Sequence, residues 1–379
     1  MTRHTPIDRR SVLQATGGAL AGLGATGLVS ADSTPVVVNV GVAAESGRKA
    51  ALDAAGEVVR DFDSLPVVTV RVPRRAASEL GKRPDVRYVE QNGRMHALAQ
   101  NISWGIDRID APEAHPCAKG KGTDVAIIDT GIDGNHPDLE ANLGTGAYAV
   151  SCSSWSAECT YSWGDDNGHG THCAGIVGAV DNSQGVLGVA PEATIHAVKV
   201  LDSNGGGSYS DIAAGIEYVA DQGWDIANLS LGGSASSAVK DAVKYADSKG
   251  VLMVAAAGNS GPCTDCVGYP AAYPETLAVS SIDSSDNLSG FSSTGPEINI
   301  AAPGSDIYST YVGGGYKTLS GTSMAAPFVS GAAALLMGDP FNYTRFKTWN
   351  ILCETAEDIG LSDDATGCGL VDVQAAVDC

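Results

Sequence analysis

The chain changes its hydrophobic rhythm along its length. Residues 36–42 (VVVNVGV), 66–72 (PVVTVRV) and 86–92 (VRYVEQN) are short β-branched runs, which predict strands. Between them, 46–62 (SGRKAALDAAGEVVRDF) and 73–84 (PRRAASELGKRP) place Ala, Leu and Val on one face and predict helices. From about residue 99 the pattern becomes a strict alternation. DVAIIDTG (124–131), IHAVKVL (195–201), IANLSLGG (226–233), VLMVAAAGN (251–259) and TLAVSSI (276–282) are apolar almost throughout and bounded by Gly or Asp, as strands covered on both faces are. The amphipathic stretches 209–223 and 237–250 fall between them as helices. The expected architecture is α/β, a mostly parallel sheet with helices on both faces, preceded by a small α+β unit. Ligands of such a sheet sit at the carboxyl ends of its strands.

The first 31 residues fit neither pattern. Arg9-Arg10, a charge-free Gly/Ala/Leu stretch and the small-residue ending Val29-Ser30-Ala31 predict an export signal of the twin-arginine type, with Asp8 and Val12 departing from its usual pattern and a Sec signal or a short membrane anchor as the alternatives. No internal run is long and apolar enough to predict a membrane span. Charge is divided unevenly: residues 1–98 hold 13 Lys/Arg and 10 Asp/Glu, net +3, and residues 99–379 hold 10 and 34, net −24. Nucleic acid and anionic membranes are therefore poor partners for the acidic part, the basic unit is expected to dock on it, and stability is expected to require salt. In an exported chain, cysteines pair and an odd one is left over. Of the nine here, Cys152/Cys159 and Cys263/Cys266 could each staple a loop, two more bridges could form among Cys117, Cys353, Cys368 and Cys379, and Cys173 remains as the free thiol.

Candidate chemistry gathers in GHGTHCAG (168–175), where His169, His172 and Cys173 fit zinc ligation, a Cys/His nucleophile or a lone His base. Other segments weigh on that choice. Asp129 closes the strand VAIID, His169 stands where a helix begins, Ser323 follows a Gly-Thr turn into the apolar helix SMAAPFVSGAAALL, and Asn259 ends a strand in VAAAGN. Four separate strand ends would thus each deliver one group that acyl transfer needs: an orienting carboxylate, a base, a nucleophile and an oxyanion donor.

With DTGIDGNHPDL, HGTHCAG, GVLGVAPEATIHAVKVL, SLGG, AAAGN, GYPAAYP, APG and GTSMAAP in this order, the chain resembles the subtilisin-like serine proteases, from about Ala99 to its end. Its acidic composition resembles that of haloarchaeal extracellular members. The resemblance implies a catalytic domain over 99–379 in which Asp129, His169 and Ser323 are catalytic and Asn259 binds the oxyanion. It implies that Gly205, Gly206 and Gly207, with Ser230, Leu231 and Gly232, sandwich a substrate strand. Gly268 would floor a primary pocket open to large apolar or aromatic side chains, Tyr209 would border a more distant pocket, and Tyr269-Pro270 matches a cis peptide bond. A structural calcium site is implied at Gln100, Asp138 and Asn182 and at the carbonyls of Val180, Gln184 and Val186. Residues 32–98 are implied to be a ferredoxin-like propeptide, chaperone and inhibitor of its own domain, processed between Leu98 and Ala99.

The implied protein is a secreted, extracellular, monomeric endopeptidase acting on proteins and peptides. Two departures bear on packing: Ala326 and Phe328 replace a Ser or Thr and a His common after the nucleophile, and about eight extra residues carrying Cys152 and Cys159 precede His169. Two other readings compete, a catalytically inactive member of the fold that binds peptides or serves at a surface, and a zinc or thiol hydrolase built on GHGTHC.

Overall fold

The computed structural model describes residues 35–92, 100–152 and 159–378, which divide into two compact units. The export signal over 1–31 and the processing point at Leu98 and Ala99 lie outside the described residues.

In the first unit, strand β1 (Pro35–Val42), helix α1 (Glu45–Asp53), strands β2 (Glu57–Asp61) and β3 (Val67–Pro73), helix α2 (Arg74–Gly81) and strand β4 (Val86–Gln91) follow one another. The strands form an antiparallel sheet in the order β2-β3-β1-β4. Val38, Val40, Val68, Val70 and Val72 pack there with Ala51, Ala77 and Leu80 of the helices. The single helix expected over 46–62 is corrected: it ends at Asp53, and Glu57–Asp61 is an edge strand on β3. Gly56 lies just beyond the helix end, and the β-branched Val58 pairs with Val70 of β3, with a register shift at Val59, a ladder that local periodicity does not reveal.

The second unit begins with two short helices, α3 (Trp104–Arg108) and α4 (Ala111–Ala114). Strand β5 (Asp124–Asp129), strand β6 (Ala147–Tyr148), helix α5 (His169–Gly178), strand β7 (Thr194–Lys199), helix α6 (Tyr209–Gln222), strand β8 (Ile226–Leu229), helix α7 (Ser237–Lys249) and strands β9 (Leu252–Ala256), β10 (Thr276–Ile282) and β11 (Ile298–Pro303) follow. They build a seven-stranded sheet in the order β11-β10-β9-β8-β5-β7-β6, parallel at every pairing. An antiparallel hairpin, β12 (Ile307–Tyr311) and β13 (Gly315–Leu319), then leads into the long helix α8 (Thr322–Met337).

Alternation along the strands assigns each residue to a face. Val125, Ile127, Leu252 and Val254 pack with α5 and α8, whereas Ala126, Ile128, Met253 and Ala255 pack with α6 and α7. Helix ends are sealed locally: Ser208 and Asp211 form a capping box on α6, which stops at Gly223 in the left-handed region. Phe328 is fully buried in the α5/α8 core, so the departure at this position is a packing residue. Cys152–Cys159, Cys263–Cys266 and Cys353–Cys368 are disulfides, Cys117 is also disulfide-bonded, and Cys173 is free and buried. No helix among the described residues is long and apolar enough to cross a membrane.

Candidate active site

Strand β5 has β8 on one side and β7 on the other, so the connections leaving its carboxyl end diverge and a crevice opens there. Asp129, its last residue, is fully buried at that point. His169 opens α5, and Gly168 before it has φ +105°, a conformation that a side chain at this turn would oppose. His169 Nδ1 lies 2.8 and 2.9 Å from the two carboxylate oxygens of Asp129, and the Thr130 amide donates to Asp129 Oδ1 at 2.7 Å. The carboxylate therefore holds the proton on Nδ1 and leaves Nε2 as the basic nitrogen. Burial alone would lower the His169 pKa, but the charge and hydrogen bond of Asp129, with the charge of Asp165, raise it above the ordinary imidazole value.

Asp165 is not among the residues that the sequence motifs single out. Its buried carboxylate accepts five hydrogen bonds, from Thr130 Oγ1, the Asn167 and Gly168 amides, and the Thr171 amide and hydroxyl, at 2.6–2.9 Å. Those bonds set the loop that delivers His169. The doubled acid in DDNGHG, four residues before the histidine, is the sequence signal for it.

Ser323 occupies the first turn of α8, where backbone amides lack intrahelical partners. Pro327, four residues on, has no N–H to bond the Ser323 carbonyl. That carbonyl instead accepts from Ser230 Oγ at 2.8 Å and from the Cys173 thiol at 3.4 Å. In return the Ser323 hydroxyl donates to the Ser230 carbonyl at 3.1 Å. Asn259 Oδ1 accepts from the amide and hydroxyl of Thr322 at 2.9 and 3.0 Å, which orients the side-chain amide beside Ser323 and leaves Nδ2 as a donor. The expectation of four strand ends is corrected. Only Asp129 ends a strand; Asn259 lies in the loop after β9, and His169 and Ser323 stand on helix N-termini.

A cleft of about 470 Å³ is lined by His169, Gly205, Gly206, Gly207, Tyr209, Ser230, Leu231, Gly232 and their neighbours. Ser323, Asn259 and Gly268 are outside that lining, and Ser323 joins it through Ser230. Gly207, Leu231 and Gly232 make no hydrogen bond to another described residue, so their backbone groups can pair with an added strand. The Tyr269-Pro270 bond is cis.

The residues of the implied calcium site also gather. Gln100 Nε2 is within hydrogen-bonding distance of the carbonyls of Val180 and Val186, and Asn182 Nδ2 and the Val186 amide donate to Asp138 at 3.1 and 2.8 Å. The Val180 and Val186 carbonyls here face the Gln100 NH₂; with that amide turned to present Oε1, these groups and the Asp138 carboxylate would make the oxygen-only set that suits calcium.

Among the described residues, Cys173 and His172 are less well set for thiol or zinc chemistry. Cys173 Sγ lies within 4.8 Å of the Asp129 and His169 ligand atoms, but burial pushes its pKa up and keeps it a thiol. His172 turns away into the core, where its Nε2 lies 3.1 and 3.0 Å from the carbonyls of Ile307 and Lys317. Burial lowers its pKa to about 4.

Comparison with known sequences shows the family. A profile described as the subtilase family matches residues 120–369. Subtilisin E of Bacillus subtilis is 43% identical over 325 residues, 85% of this chain and 83% of its own length. An alkaline protease of Alkalihalobacillus alcalophilus is 42% identical over 322 residues, 84% of this chain and 81% of its own length. A thermostable alkaline protease of Halalkalibacterium halodurans is 42% identical over 317 residues, 83% and 84% of the two chains.

Proposed function

Because the chain belongs to the subtilase family and is a serine endopeptidase, we propose that Ser323 is its nucleophile, His169 its general base and Asp129 the group that orients that base. The observation that supports this reading is the doubly contacted pair of a buried Asp129 and a half-buried His169, with a serine on a helix N-terminus linked to the cleft through Ser230 and an anchored Asn259 beside it. The Ser323 hydroxyl turns from the Ser230 carbonyl to His169 Nε2 and gives up its proton as Oγ attacks the scissile carbonyl. The oxyanion of the tetrahedral intermediate receives Asn259 Nδ2–H and the Ser323 N–H. His169 then passes the proton to the leaving amine, and water, deprotonated by the same Nε2, hydrolyses the acyl-enzyme.

The substrate pairs as a strand with the 205–207 and 230–232 segments, and the open floor at Gly268 favours a large apolar or aromatic residue on the acyl side of the scissile bond. Calcium, held by Gln100, Asp138, Asn182 and the carbonyls of Val180, Gln184 and Val186, would clamp the loop to the N-terminal segment of the domain. The chain is exported on residues 1–31 and folded with, then inhibited by, residues 32–98, which it removes itself between Leu98 and Ala99. The extracellular enzyme acts as a monomer on proteins and peptides.

The test is casein hydrolysis together with covalent labelling. A fluorophosphonate should label Ser323 and abolish hydrolysis, while zinc chelation and thiol alkylation leave it intact. Failure to label would sink the reading, and so would activity that survives full labelling. For the propeptide, a purified Ser323→Ala precursor should retain residues 32–98; their loss would exclude self-processing.

A further inference from the structure

Lys199, the last residue of β7, is a fully buried cation beside the active site. Its backbone pairs across the sheet with Asp129. The three ammonium donors are all engaged, with the Thr130 carbonyl at 2.6 Å, Asp166 Oδ1 at 2.7 Å and the Leu201 carbonyl at 2.8 Å. These acceptors belong to three segments: the turn after Asp129, the loop before His169 and the turn after β7. Thr130 extends the connection. Its amide holds Asp129 Oδ1, and its hydroxyl accepts from the Gly170 amide while donating to Asp165.

Burying an ammonium with its carboxylate is unfavourable unless geometry is good, and replacing the whole pair by apolar side chains is often neutral for stability, whereas removing one partner leaves an uncompensated buried charge. What an apolar side chain could not do is tie the Asp129 turn to the His169 loop. We propose that Lys199, with Asp166, is a positioning residue for the hydrolytic step, setting the Asp129 turn and the His169 loop in register so that the imidazole meets Ser323. The brace bonds none of residues 205–207 or 230–232 directly, although Thr130 and Leu201 also line the cleft, so its loss should fall more on turnover than on substrate binding. The inference rests on the triad proposed above.

The test uses the mature enzyme, with active sites counted by fluorophosphonate titration and turnover measured on a peptide p-nitroanilide with Phe before the scissile bond. Lys199→Met keeps the apolar stem and removes the brace. Its kcat per titrated site should fall roughly 10- to 100-fold, as expected for misplaced reacting groups, with KM within about threefold of the parent. Asp166→Asn should fall less. Lys199→Met/Asp166→Asn should fall about as far as Lys199→Met alone rather than by the product of the two single losses, because both changes remove the same brace. A kcat per titrated site within about twofold of the parent in all three would overturn the proposal, even with lowered melting temperatures. If Lys199→Met does not fold, Asp166→Asn decides by the same criterion. Absence of labelling in the parent would instead overturn the triad.

Discussion

Replacing Asp165 by Asn changes one atom in the loop that delivers His169. The carboxylate is fully buried, and its oxygens face donors only: Oδ1 accepts from Thr130 Oγ1 and the Asn167 and Gly168 amides, and Oδ2 from the Thr171 amide and hydroxyl. An amide must turn its NH₂ toward one set. The lesser loss places Nδ2 against Thr171, where the hydroxyl can rotate but the backbone N–H becomes a buried donor facing a donor. One lost hydrogen bond to a charged group, plus weakening of those that remain, should cost about 2–4 kcal/mol. The assay is urea unfolding of the Ser323→Ala background at fixed calcium and salt, which removes autolysis. A second readout is the acid limb of kcat/KM in the active enzyme. The Asp165 charge helps to raise the His169 pKa, so the limb should move to lower pH. A loss of stability below about 0.5 kcal/mol with an unmoved acid limb would refute the reasoning, because a surface carboxylate behaves that way.

Three further outcomes follow from the same physics. Asn259→Ala should lower kcat by about 100- to 1,000-fold with KM little changed, and a loss below tenfold would remove this side chain from the oxyanion site. His172 has a folded pKa of about 4, below its unfolded value, so the unfolded chain binds the extra proton; its contribution is complete above the unfolded pKa and lost as pH falls toward 4. Up to about 3 kcal/mol is at stake, and the difference in unfolding free energy between the Ser323→Ala background and its His172→Gln derivative should shrink by that order on acidification. Asp138→Ala should abolish any rise in melting temperature on adding calcium while the background shows one, and equal rises in the two would exclude Asp138 as a ligand.

Much of the architecture is written in local pattern. The apolar runs at 124–129, 226–229 and 252–256 read as two-faced parallel strands, and the proposed catalytic groups stand within two residues of glycines. Where local pattern failed, a partner remote in sequence decided. Residues 57–61 carry helical periodicity but lie beside β3 and take its ladder. Cys173 and His172 are adjacent in sequence, yet α5 sends the thiol beneath the Asp129–His169 pair and the imidazole toward the β12–β13 hairpin.

By itself, then, the order of residue types determined the α/β alternation, the basic first part and the acidic remainder, and the Asp, His, Asn and Ser candidates, because these depend on side-chain chemistry and short-range periodicity. The tertiary structure decided which groups hold the candidates in place. Asp165 collects donors from residues 130–171, Lys199 joins segments at 130, 166 and 201, and the carbonyl freed by Pro327 is taken up by Ser230. A buried charge or an orphaned carbonyl must find partners in space, and no spacing along the chain says where those partners will be.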